Sequence, residues 1–184
     1  MGNISGTFNA SKALFKPSLI KPQLTYSNFN ELPIPLNNKI KAIVLDKDNC
    51  IAYPHETHIW EAYTDQWEKL KRVYPGKALL IVSNTAGSND DKALKGSKII
   101  ETNTGVHVLR HSTKKPGCHQ EIMQYFRDNK IAGKPDEIAV IGDRLFTDIM
   151  MANLMNSCGI WLKYGVVKSI NPLMMFERFL SRFF

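Results

Sequence analysis

Cysteine is scarce in this chain: Cys50, Cys118 and Cys158, an odd number with no CxxC pair. That pattern excludes a disulfide framework and a cysteine-based zinc site, and it favours a reducing compartment. No run approaches the ~18 consecutive apolar residues of a spanning helix, so any membrane contact is expected to be peripheral. Acid is absent from residues 1–30, which carry Lys12, Lys16 and Lys21 but no arginine. Such a composition partly matches an organelle-targeting segment. The start, Met1-Gly2-Asn3-Ile4-Ser5-Gly6, misses a myristoylation signal because Gly6 stands where Ser or Thr is needed. Acid is also outnumbered over the whole chain, giving a net charge of +7. The excess favours anionic partners, whether phosphorylated metabolites, nucleic acid or an acidic membrane surface.

What is present is enough chain, 184 residues, for one well-cored domain. Residues 1–38 hold Pro17, Pro22, Pro33 and Pro35, which leave room only for a short helix over Asn9 to Phe15 and suggest an N-terminal arm. From residue 39 to 184 short apolar runs alternate with helical patterns. Strands are expected at Ile40–Leu45, Ala78–Val82, Val106–Leu109, Ile138–Ile141 and Gly159–Lys163, with helices at Trp60–Tyr74, Asp90–Asn103, Gly117–Lys130 and Phe146–Met155. This alternation predicts an α/β fold of three layers, a parallel Rossmann-like sheet with helices on both faces. The final segment, Pro172–Phe184, sets Phe176, Phe179, Leu180 and Phe183 opposite Glu177, Arg178, Ser181 and Arg182. It should be an amphipathic helix packed on the sheet or on a neighbouring subunit, with an interfacial membrane seat as the alternative.

Two strands end in acid. Asp46-Lys47-Asp48 follows Ile40–Leu45, and Gly142-Asp143 follows Ile138–Ile141. Open α/β sheets place ligands at these strand ends, and Mg²⁺ takes one or two carboxylates plus waters and phosphate oxygens. Asp46, Asp48 and Asp143 would supply that shell, with Asn49 suited to the left-handed turn that follows. A third strand ends in Ser83-Asn84-Thr85, whose hydroxyl and N–H groups could bind phosphoryl oxygens; the other reading of Ser83 is a helix cap. In Lys114-Lys115-Pro116, Pro116 can open a helix while Lys115 reaches back toward the phosphate; the other reading of the pair is a solvated surface.

The ordered set DxD, Ser-Asn, Lys-Pro and Gly-Asp-x-x-x-Thr-Asp resembles the haloacid-dehalogenase superfamily of phosphatases over Lys39 to about Lys163. The resemblance implies Asp46 as a nucleophile that forms an aspartyl-phosphate, and Asp48 as general acid and base. It also implies that Ser83 and Lys115 hold the phosphoryl group. Asp143 would bind Mg²⁺ with Asp46 and the Asp48 backbone carbonyl, and Asp148 would orient the shell from behind. Many members continue the first motif with Gly-Thr, whereas this chain has Asn49-Cys50.

The stretches between Asp48 and Ser83 and between Asn84 and Lys115 are each consumed by one helix and one strand, so no cap domain fits. In this superfamily a capless site implies a large substrate: a protein, a nucleic acid or a lipid headgroup at a membrane. Within it, the four motifs with Glu31-Leu32-Pro33-Ile34-Pro35 and Met151-Ala152-Asn153-Leu154-Met155 are similar to the fungal mitochondrial lipid phosphatases. That likeness implies dephosphorylation of phosphatidylglycerophosphate at the matrix face of the inner membrane, on the cardiolipin route, with an anionic membrane surface as partner. Arg110, His111, Lys114 and Arg144 are candidate headgroup contacts; His111 reads equally as a packed histidine. Competing readings are a capless phosphatase for a phosphoprotein or nucleic-acid end and a silent membrane adaptor. Trp60 and Trp67 look like helix-face core residues rather than stacking platforms, which argues against nucleic acid. Homo-oligomerisation stays open.

Overall fold

The computed structural model describes residues 16–168 and 172–181. Its centre is one six-stranded sheet, every pairing parallel, in the order β1-β6-β5-β2-β3-β4. The strands are β1 (Leu24–Tyr26), β2 (Ala42–Leu45), β3 (Leu79–Ile81), β4 (His107–Val108), β5 (Ile138–Gly142) and β6 (Cys158–Leu162). From β2 the chain moves outward to β3 and β4, then returns past β2 to build β5 and β6 on the other side. The order therefore reverses between β2 and β5, the crevice where open α/β sheets bind ligands.

Alternation along the central strands divides the core into two faces. Ile43, Leu45, Leu79 and Ile81 pack with Tyr63, Trp67, Leu70 and Ile100 under α1 (Thr64–Val73) and α2 (Lys95–Thr104). Ala42, Val44, Leu80, Val82 and Val140 pack with Ile122, Phe126, Met151 and Met155 under α3 (His119–Asp128) and α4 (Met150–Met155). Burying both faces of a parallel sheet explains why its strands read as continuous apolar runs. Only short helical turns and α1 separate β2 from β3.

Four expectations are corrected. The described part of the N-terminal arm is integral to the domain: Leu24–Tyr26 adds an edge strand to β6, Gln23 bonds Gly159 through both backbone and side chain, and Phe29, Leu32 and Ile34 enter the core. The expected helix Asp90–Asn103 starts late, at Lys95, after left-handed Ala93 and Leu94. The cause is Asp91, whose carboxylate accepts the N–H groups of Gly87, Gly96 and Ser97 and so satisfies the first turn from outside. The expected helix Phe146–Met155 opens as a wider π turn, Leu145–Ile149, before α4. Finally α5 (Pro172–Leu180) does not pack its phenylalanine face on the sheet: Glu177 is buried, while Phe176 and Phe179 are exposed. Phe183, residues 1–15 and the short helix expected there lie outside the described residues.

Candidate active site

Asp46 is the first residue past β2, and its N–H still donates to the Ile141 carbonyl of β5 at 2.9 Å. This bond fixes the ends of the two acid-tipped strands side by side. Behind them the turn after β5 brings back Asp148, so that carboxylate oxygens of Asp46, Asp143 and Asp148 lie within 4.8 Å of one another. Gly142 makes that return possible, because a Cβ there would sit 2.3 Å from the Asp148 carboxyl carbon.

Lys115 enters this acid cluster from the loop after β4. Its Nζ lies 2.5 Å from Asp46 Oδ1 and 2.7 Å from Asp148 Oδ1, with all three side chains buried. Asn84 holds the loop in place by accepting the Lys115 N–H at 2.7 Å. Burial opposes the ammonium charge, but Asp148 and Asp46 outweigh it and raise the Lys115 pKa above its ordinary value. Asp46 is raised to about 6, with burial pushing it up most, Lys115 pulling it down and Asp148 pushing it up. Asp143 is raised well above the carboxylate range, first by burial and then by Asp46 and Asp148.

One ammonium facing three buried carboxylates leaves negative charge in excess when the acids ionise. Asn49 donates to Asp143 Oδ2 at 2.8 Å, yet Asp143 Oδ1 is buried with no hydrogen-bond partner. An orphaned acceptor in an all-oxygen set is what a hard divalent cation would satisfy. Asp46 and Asp143 are the residues that could hold one.

Asp48 is placed differently. Its carboxylate faces away from the cluster, partly exposed, taking Lys47 Nζ at 2.5 Å and the His55 N–H at 2.7 Å. The side chain therefore does not join a metal shell, and only its backbone carbonyl remains for the expected metal contact. Lys47 is itself buried and also donates to the Glu56 carbonyl at 2.7 Å, an anchor for Asp48 that the sequence pattern did not mark. The turn after the two acids depends on Asn49, left-handed at φ 59° as expected, which also accepts the Val167 N–H on its side chain. Cys50 is fully buried with its thiol directed at the Ile141 carbonyl.

Ser83 ends β3 with its hydroxyl accepting the Thr85 and Ala86 N–H groups, at 3.2 and 3.4 Å, in the manner of a cap. Three of the expected headgroup contacts have structural partners instead. Both ring nitrogens of His111 lie against carbonyl oxygens, of Ser83 at 2.9 Å and Thr113 at 2.8 Å, which ties the Lys115 loop to the end of β3. Arg110 pairs with Glu101 of α2 at 2.9 Å, and Lys114 with Asp90 at 2.5 Å. Backbone N–H of Arg144 donates to Asp148 Oδ2 at 3.2 Å, and its Nε is buried without an acceptor.

Two further residues join the site from outside the motifs. Trp161 of β6 donates its indole N–H to the Asp143 carbonyl at 2.9 Å. Glu177 of α5 accepts the Phe146 N–H at 3.1 Å, inside the turn that carries Asp148. An isolated glutamate on a helix face gives no sequence signal for such a contact.

The chain is 59% identical over 181 residues to the mitochondrial phosphatidylglycerophosphatase GEP4 of Saccharomyces cerevisiae, covering 98% of both chains. It is 34% identical over 191 residues to a probable mitochondrial phosphatidylglycerophosphatase of Schizosaccharomyces pombe, covering 98% of this chain and 91% of that one. An uncharacterized protein from Listeria monocytogenes serotype 4b shares the fold, with a TM-score of 0.50 and 18% identity over 73% of this chain and 86% of that one. A family profile described as mitochondrial PGP phosphatase matches residues 4–167, and the chain belongs to that family.

Proposed function

We propose that this chain is a phosphomonoesterase that converts phosphatidylglycerophosphate to phosphatidylglycerol and phosphate, the step that precedes cardiolipin formation, as the names of its relatives suggest. The observation that carries the chemistry is the buried Asp46–Asp143–Asp148 cluster with Lys115 inside it and one Asp143 oxygen unpartnered.

Asp46 is the nucleophile, its Oδ attacking phosphorus to form an aspartyl-phosphate while the lipid alkoxide leaves. Asp48, at the mouth of the site, protonates the leaving oxygen and then activates the water that releases phosphate. Holding these two acids apart, one desolvated beside Lys115 and one anchored by Lys47, gives them separate duties. Lys115 neutralises phosphoryl charge, and the Ser83 hydroxyl past β3 binds a phosphoryl oxygen. Mg²⁺, held by Asp46, Asp143 and the Asp48 carbonyl, would supply charge neutralisation at the phosphoryl oxygens. Asp148 sets the Lys115 position from behind.

Residence on the matrix side of the inner membrane, as a peripheral protein, fits relatives named mitochondrial and the absence among the described residues of any helix long and apolar enough to cross a membrane. The test of substrate compares phosphate release from phosphatidylglycerophosphate in anionic vesicles with release from phosphopeptides and 5′-phosphorylated oligonucleotides. The lipid is expected to be preferred, and preference for either soluble class would refute the assignment.

A further inference from the structure

The loops that carry the four motifs bear the cations Lys47, Arg110, Lys114, Lys115 and Arg144. All but the last are engaged by carboxylates. Lys47 pairs with Asp48, Arg110 with Glu101, Lys114 with Asp90, and Lys115 with Asp46 and Asp148. Among the described residues no ion pair or hydrogen bond reaches the guanidinium of Arg144.

The backbone of Arg144 is held while its fork is left unclaimed. Its N–H donates to Asp148 Oδ2 at 3.2 Å, and the residue is extended, at φ −121° and ψ 126°, between Asp143 and the π turn. Nε is buried without an acceptor although the residue as a whole is half-buried, so the stem is sealed in and the terminal nitrogens stay accessible.

Two carboxylates balance this charge without touching it. Arg144 pulls the pKa of Asp143 and that of Glu177 down against burial, yet forms an ion pair with neither. Glu177 is 1% exposed, accepts the Phe146 N–H at 3.1 Å through Oε1 and keeps Oε2 buried without a donor. The guanidinium therefore lies between the acid cluster and α5, steadied by both sides and bound by neither. A planar fork with a fixed stem and free terminal nitrogens suits bidentate capture of a phosphate.

The chemistry of the substrate says which phosphate this is. Phosphatidylglycerophosphate carries two, the terminal monoester that is removed and a diester one glycerol away. The monoester is met by Lys115 at Asp46. For the diester, Lys47, Arg110 and Lys114 are already committed to acids, which leaves Arg144 among the motif-loop cations.

We propose that Arg144 is a specificity-determining residue that binds the phosphodiester of the headgroup while Asp46 attacks the terminal monoester. The proposal rests on the phosphatidylglycerophosphate reading and deepens it, since the site then recognises a pair of phosphates rather than a single one.

The test needs no membrane. Deacylated substrate, glycerophosphoglycerol phosphate, keeps both phosphates, whereas glycerol 3-phosphate keeps only the one removed. Phosphate release with Mg²⁺ gives kcat/KM on each for the full chain, for Arg144→Gln and for Arg144→Lys, all folded to the wild-type circular dichroism spectrum. Wild type should favour the two-phosphate substrate roughly tenfold to a hundredfold, the worth of one charge-assisted contact. Arg144→Gln should erase most of that preference, chiefly by raising KM for the two-phosphate substrate. Arg144→Lys keeps the charge but not the fork and should fall between. Absence of the preference in wild type overturns the proposal without recourse to any variant. So does an unchanged preference in Arg144→Gln, and so does an equal loss on both substrates, which would put the guanidinium on the transferred phosphate. If wild type also hydrolyses the intact lipid, any of these results refutes the role of Arg144 alone. Wild type that leaves the intact lipid untouched refutes the substrate reading, and the proposal with it.

Discussion

Replacing Lys115 by methionine should expose how the cluster balances its charges. The ammonium is the shared partner of Asp46 and Asp148, at 2.5 and 2.7 Å, and all three groups are buried. Taking one partner from a buried charged set costs about 3–5 kcal/mol, because the remaining charges are left without compensation. For a domain of this size that corresponds to a fall in Tm of roughly 6–20 °C. The cost should depend on pH in a defined direction. The Asp46 pKa is already raised to about 6 with Lys115 pulling it down, so removing the lysine raises it further. A carboxyl whose folded pKa is raised contributes stability that is fully present below its unfolded value and lost as pH rises through the folded one. The deficit of Lys115→Met should therefore be largest near pH 8 and shrink toward pH 5 as the acids take up protons. Mg²⁺ should raise the Tm of the variant more than that of wild type, since it would compensate the same carboxylates. Thermal melts followed by circular dichroism at pH 5, 6.5 and 8, with and without Mg²⁺, measure each of these effects. A deficit independent of pH over that range would refute the charge balance.

Glu177→Gln tests the buried carboxyl of α5, whose pKa burial pushes up to about 7, with Arg144 and the backbone acting against the rise. Glutamine keeps an acceptor for the Phe146 N–H, so the variant should exceed wild type in urea stability by about 2–3 kcal/mol near pH 8, with the gain vanishing toward pH 5. Gly142→Ala should leave a folded protein with phosphate release lowered at least ~100-fold, because the new Cβ would meet Asp148 at 2.3 Å and shift the carboxylate that sets Lys115. Asp48→Asn should keep the melting temperature within about 2 °C, since the side chain is partly exposed, while kcat falls roughly 10²–10⁴-fold. A burst of one phosphatidylglycerol per enzyme in that variant, with phosphate retained on the protein, would show that only the water step had slowed.

The parts of the fold that can be read in sequence are those governed by local pattern. The strands β2, β3 and β5 are continuous apolar runs because both faces of a parallel sheet are covered, and their acids and hydroxyls fall at the switch point because the runs end there. What escapes is set by tertiary contact. The edge strand β1 is three residues long, with its first two exposed, and follows Pro22, so neither length nor alternation marks it. Asp91 moves the start of α2 by reaching over it from the preceding loop. Lys47 reads as an exposed lysine between two acids, but the loop to Glu56 buries it. In α5 the pattern marks the helix, whereas the turning of Glu177 inward to accept the Phe146 N–H depends on a tertiary contact that the pattern does not carry. His111 and Arg110 stand beside the site for its construction, a distinction that residue type alone does not carry.

The central claim is that Asp46 attacks phosphorus. Enzyme given phosphatidylglycerophosphate labelled on its terminal phosphate, with Mg²⁺, and quenched in acid within one turnover should carry the label on Asp46; Asp46→Asn, folded to the wild-type circular dichroism spectrum, should carry none and release no phosphate. Retained turnover by Asp46→Asn would contradict the account.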